Sequence, residues 1–232
     1  MFFPNFINGM KNHMPFINKC NGEFIYMCCM TKPTSREWKI FYNQKGEWKR
    51  LTNSSAGVIE CSPSIYYDKG YYVSYVTTDQ RNPYTLHCLY GESLDSLIEI
   101  DNTDSLCGFY FENILVKLLD KSIVGIYENS KLIRKIDFFD YDFVYRLTYS
   151  PNTNQILTTV AKDEKFENYI IDGYNLYLVK CDNKNAYKFF KYNDEYWYVV
   201  QFGSGFESRY IRKAKSVSLE KISGICRFEE VN

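Results

Sequence analysis

In the stretch "VIECSPSIYYDKGYYVSYVTTD", Val58 to Asp79, one acid, Glu60, stands ahead of two aromatic and apolar runs that turn around Asp68-Lys69-Gly70. A carboxyl group held at a strand start can donate a proton to a leaving oxygen if a second carboxyl stays ionised to act as base. The candidate base is Asp142, in "FFDYDFVY", with Asp140 two residues before it. His13, Tyr145, Arg146 and Tyr187 begin other apolar runs and, together with Glu60, are the candidate ligand-binding set. Each of these residues also has a plainer reading. Asp140 and Asp142 fit a solvated loop, and Glu60 fits a carboxylate paired with a base such as Arg146.

Other chemistry finds less support. No Gly-x-Ser-x-Gly elbow occurs, and "FGSGFES", Phe202 to Ser208, lacks the Lys-Ser/Thr ending of a phosphate-binding loop. The eight cysteines are scattered singly apart from Cys28-Cys29, without metal-knuckle or redox spacing, and the chain has only two histidines, His13 and His87. No metal site and no cofactor are expected, and the thiols read as reduced, mostly buried apolar residues. His87 and Cys88, adjacent on a strand, point to opposite faces and cannot form a Cys/His pair.

The elements that must position these residues are strands. Short Tyr, Phe, Ile and Val runs bounded by Asn, Asp, Gly and Lys turns fill the chain, and amphipathic helical periodicity is almost absent. The runs repeat. First hairpins turn at Asn21-Gly22, Asp68 to Gly70, Asp120 to Ser122, Pro151 to Asn154 and Asn193 to Glu195, and a third strand follows each. Five units of about 40 to 50 residues predict one all-β domain over residues 1–232, a single five-bladed β-propeller. The blades would run approximately 13–55, 58–103, 107–140, 143–184 and 185–225, the last with "VSLEKI" as its fourth strand. A β-sandwich is the alternative, favoured by uneven marker spacing. Closure is expected from "FFPNFI" or "GICRFEEV", as an outer strand added to the blade at the opposite end of the chain.

In a propeller the innermost strands line a central channel, so the residues that start them converge at one mouth. Glu60 is the one acid among the predicted starts, which include His13, Cys107, Tyr145 with Arg146, and Tyr187. Glu60, Pro63 and Gly70-Tyr71-Tyr72 resemble one blade of the five-bladed glycoside hydrolases of the arabinanase and xylosidase families. That resemblance implies Glu60 as general acid, with two Asp from other blades as base and as modulator. The first and third strand starts bring His13 and Cys107 instead. Glu60 is therefore expected near the mouth without a completing pair of acids.

Composition narrows the partners. Charge balances at 28 basic and 28 acidic residues, so no global field favours nucleic acid or an anionic membrane. Aromatics make up 18%, and Trp38, Trp48, Trp197 and the tyrosines suit sugar rings or protein surfaces. The basic alternation "RYIRKAK" suits a solvated strand face. No apolar run is long enough to cross a membrane, and the opening residues lack the pattern of a signal peptide. The expectation is a non-catalytic binding or interaction module with a protein or glycan partner. Its Asn, Lys, Tyr and Ile bias suggests an AT-rich genome, hence a cytoplasmic or phage virion location. The alternative is a glycoside hydrolase acting on an oligosaccharide through Glu60.

Overall fold

The computed structural model describes residues 10–32, 37–79, 84–163, 165–181, 187–192, 195–201 and 209–231. The chain is all-β, a five-bladed β-propeller of antiparallel sheets. The first blade is β1 (Lys11–Cys20), β2 (Glu23–Thr31), β3 (Lys39–Gln44) and β4 (Glu47–Arg50), in that order. The second is β5 (Ile59–Asp68), β6 (Gly70–Thr78), β7 (Thr85–Gly91) and β8 (Ile98–Asp104). The third holds β9 (Gly108–Phe111), β10 (Ile114–Leu118), β11 (Ile123–Glu128) and β12 (Lys131–Asp137), and the fourth β13 (Phe143–Ser150), β14 (Gln155–Lys162), β15 (Lys165–Asp172) and β16 (Asn175–Cys181). The fifth is β17 (Tyr187–Tyr192), β18 (Glu195–Gln201) and β19 (Arg209–Lys213).

The chain then doubles back. Its last strands, β20 (Val217–Ile222) and β21 (Arg227–Glu230), pair antiparallel with β16 and β12 as fifth strands of the fourth and third blades. This corrects two expectations. "VSLEKI" is not the fourth strand of the last blade, and "GICRFEEV" covers the third blade rather than the first. Residues 1–9 lie outside the described residues. "YNLYLVKC" is the fourth strand of its blade, because "KFENYIID", β15, pairs ahead of it.

Contacts divide the chain into two compact units. One spans Met1–Ser105 with Val199–Ile211, and the other Leu106–Tyr198 with Arg212–Asn232. In the first, β2 is buried without interruption from Ile25 to Thr31, because both faces of the sheet are covered. Each such Ile or Met contributes about 1.5–3 kcal/mol. Phe16 and Tyr66 meet edge to face at 6.0 Å between β1 and β5. In the second unit, Phe109, Phe138, Val144 and Ile170 are fully buried. Arg134 of β12 stacks at 4.1 Å over Tyr174, donates at 2.9 Å to Glu230 of β21 and at 3.1 Å to the Gly173 carbonyl, which ties the returning strand to two blades.

Turn chemistry follows the sequence in the first blade, but the Asp120 to Ser122 turn is the second hairpin of its blade rather than the first, because β9 pairs with β10 ahead of it. Asn21 and Gly22 both take positive φ, 50° and 78°, the type I′ geometry that matches strand twist. Bulges interrupt β1 between His13 and Phe16, β5 between Cys61 and Ser64, and β13 between Val144 and Arg146. A bulge inserts an extra residue and re-aims its neighbours. Three predicted strand starts therefore stand beside one.

The cysteines form no disulfide among the described residues, and Cys20, Cys28, Cys29, Cys61, Cys88 and Cys107 are buried. Burial pushes the Cys20 thiol up to about 12, so it is a poor nucleophile. Among the described residues no helix is long and apolar enough to cross a membrane.

Seven described tyrosines, Tyr42, Tyr71, Tyr75, Tyr127, Tyr141, Tyr149 and Tyr169, have hydroxyls raised above their ordinary value, chiefly by burial; Tyr42 rises to about 12. The unfolded chain then loses protons before the folded one. Their contribution is complete below about pH 10 and declines as pH rises through and beyond the ordinary tyrosine value. Denaturant unfolding at stepped pH should show stability falling from about pH 10 upward, with phenolate absorbance lagging behind that of free tyrosine; flat stability to about pH 12 would contradict it.

Candidate functional site

Glu60 is the second residue of β5, and its side chain is fully buried. Its Oε2 accepts the Ile40 N–H at 2.8 Å and the Thr52 hydroxyl, while Oε1 accepts the Ser54 hydroxyl. Its own N–H donates to the Trp38 carbonyl at 2.9 Å. Both oxygens are thus occupied by groups from β3 and the segment that leaves the first blade. The Lys39 ammonium reaches the same knot, donating to Ser54 Oγ at 2.6 Å and to the Ser55 and Val58 carbonyls at 3.0 and 2.9 Å. Positive charge is delivered to the carboxyl through one serine hydroxyl, which suits a buried acid that cannot reach water.

Asp142 belongs to the other compact unit. There it is exposed, and its Oδ2 caps the turn after β14 by accepting the Asp163 N–H at 2.9 Å, while its own N–H bonds to the Ala161 carbonyl at 2.9 Å. Asp140 faces Lys162 at 3.7 Å. These are the contacts of residues that shape a turn.

The remaining predicted residues divide. His13 pairs with Cys29 in the β1–β2 ladder beside the first bulge. Tyr187 opens β17. Tyr145 is half-buried at the third bulge, its ring 6.2 Å from Phe143 and 5.2 Å from Phe166. Arg146 is buried in a polar row with Thr159 and Asn168, themselves joined at 2.7 Å. The segment Phe202 to Ser208 lies outside the described residues.

Blade two carries a polar constellation that sequence inspection missed. Opposite Glu60 in the ladder is Thr77, whose hydroxyl lies 2.8 Å from His87 Nε2. His87 Nδ1 lies 2.5 Å from Glu99 Oε1, and Tyr75 stacks on the imidazole at 4.9 Å between ring centres. The Tyr75 hydroxyl is held well above the usual tyrosine range by burial, with Glu60 and then Glu99 adding to it. Hydroxyl, imidazole and carboxyl stand in the order of an acyl-transfer relay. Thr77, however, lies inside a central strand bonded to β5 and β7, so its backbone is committed to the ladder rather than to a turn whose N–H groups could bind an oxyanion. The arrangement fixes one face of the blade. Residues 77, 87 and 99 meet only through strand register, so linear spacing carries no signal for them.

No protein-family model and no curated protein matches this chain. Its chemistry therefore has to be read from its own geometry.

Replacing Glu60 by Ala strands the Ile40 N–H and two hydroxyls in a buried site. The expected cost is about 3 kcal/mol, with Glu60→Gln costing less but still destabilising because its amide puts a donor among donors. Urea unfolding of the two variants measures this; unchanged midpoints would show that the knot contributes nothing.

Proposed function

We propose that this propeller is a non-catalytic binding module whose ligand is a protein or a glycan, acting in a cytoplasm or a virion. The observation that carries the reading is the Glu60 carboxyl, fully buried with both oxygens engaged. A general acid must present its proton to a leaving oxygen within hydrogen-bond reach, about 2.6–3.2 Å, in a site open to substrate. Glu60 has neither the exposure nor a vacant oxygen for that role. Function resides in sites rather than folds, so the propeller architecture leaves enzymes and binders equally available. Burial of the acid favours the binder.

Wild type and Glu60→Gln, incubated with a panel of aryl glycosides and oligosaccharides, should both be inactive, and a glycan array on the same material separates a sugar ligand from a protein one. Substantial turnover by the wild type that the glutamine variant loses would overturn this reading in favour of a glycoside hydrolase.

A further inference from the structure

The blades differ in how their outermost strand ends. The third and fourth are covered by β21 and β20. The first ends in β4, only four residues long and mixed in charge, which is one way sheets blunt an edge. The second ends in β8, seven residues with no pairing on its outer side among the described residues. Ile98 on it is 64% exposed and Ile100 41%.

Backbone groups along this edge can be assigned. Ser105 N–H bonds to the Tyr84 carbonyl, and the register continues Asp104↔Thr85, Thr103↔Leu86, His87↔Asn102. Hydrogen-bonded and non-bonded pairs alternate in an antiparallel ladder, so Thr103 turns its N–H and C=O toward β7 while Asn102 and Asp104 turn theirs outward. From Asp101 to Asp104 the edge therefore presents a backbone donor and acceptor at Asn102 and again at Asp104, and a bulge at Ile100 breaks the alternation toward Ile98.

Its charge is one-sided. From Glu92 to Asp104 the chain carries Glu92, Asp95, Glu99, Asp101 and Asp104 and no Lys, Arg or His. Asp95 meets Lys49 at 3.3 Å and Glu99 meets His87, but Asp101 and Asp104 have no cationic partner among the described residues. A second copy pairing edge to edge would bring like charges together, which disfavours self-association. An incoming strand with basic side chains meets the opposite condition.

Resting on the binding-module reading and deepening it, we propose that the outer edge of β8 is a strand-addition site for an extended basic polypeptide segment in which Lys or Arg alternates with apolar residues. The partner's backbone pairs with the outward groups of Asn102 and Asp104, its basic side chains lie on the face that carries Glu99 and Asp104, and its apolar side chains lie on the opposite face, over Ile98.

The test uses a labelled heptapeptide alternating Lys with Val, its Glu-for-Lys counterpart, and the full chain, read by fluorescence polarisation at low and high salt. The Lys peptide should bind and weaken with salt, and the Glu peptide should not bind. Asn102→Pro removes an outward N–H, a change edge strands tolerate, and should weaken binding by about tenfold or more. Asp101→Lys combined with Asp104→Lys should do the same without touching the backbone. Hydrogen exchange at Asn102 and Asp104 should slow on addition of the Lys peptide. Equal binding of both peptides, no binding of either, or wild-type affinity in both variants overturns the proposal. Glycoside turnover would instead defeat the non-catalytic reading while leaving the peptide result standing.

Discussion

Every sheet in this chain ends in a row of backbone groups that must find water, a partner strand or a blunt terminus, and the path of the chain beyond β19 is governed by that constraint. After β19 the chain crosses back to run along β16 and then β12. The added strands bury little, since the residues of β20 and β21 are mostly exposed or half-exposed. Their contribution is to replace solvent at two edges with ladder bonds. Arg134 then fixes the second of them, joining a guanidinium–tyrosine stack to an ion pair at Glu230. An exposed pair of this kind contributes little alone, but here it acts with a ladder and a ring contact.

The polar counterpart is the seam at Glu60. Apolar packing alone would let β5 slide along the first blade, because dispersion contacts are non-directional. A carboxyl that accepts from Ile40, Thr52 and Ser54 holds it to one register. The Met14 and Ser62 contact adds a second pin at the bulges, where the Ser62 N–H and hydroxyl approach the Met14 sulfur at 3.3 and 3.6 Å. Both residues take positive φ, 49° and 52°, a conformation that costs energy for a side chain with a Cβ. The two blades thus share a local distortion at matching positions.

Much of this was legible in the sequence because the signals are local. Asn21-Gly22 encodes a tight turn, and alternating aromatic runs separated by such turns give blades. What was not legible depends on partners distant in the chain. "VSLEKI" reads as a strand wherever it docks, and nothing in it names β16. Glu60 before Pro63 looks alike whether it faces a ligand or a seam; Thr52 and Ser54, eight and six residues earlier, decide, and nothing in their own residue types points to Glu60. Thr77, His87 and Glu99 converge only after two hairpins fix the register.

Sheet edges and buried acids together locate where function can reside. In blade two the inner end of the sheet is closed by the Glu60 knot, while Tyr75, His87 and Glu99 carry a stacked and hydrogen-bonded row outward across β6 and β7 to β8. That row stiffens the outermost strand from one face. A rigid edge loses less conformational freedom when another strand joins it than a fraying one does, so more of the pairing energy remains as affinity. The polar cluster that fails as an acyl-transfer site thereby suits the strand-addition role proposed for β8, since it fixes that strand from one face beside its bulge.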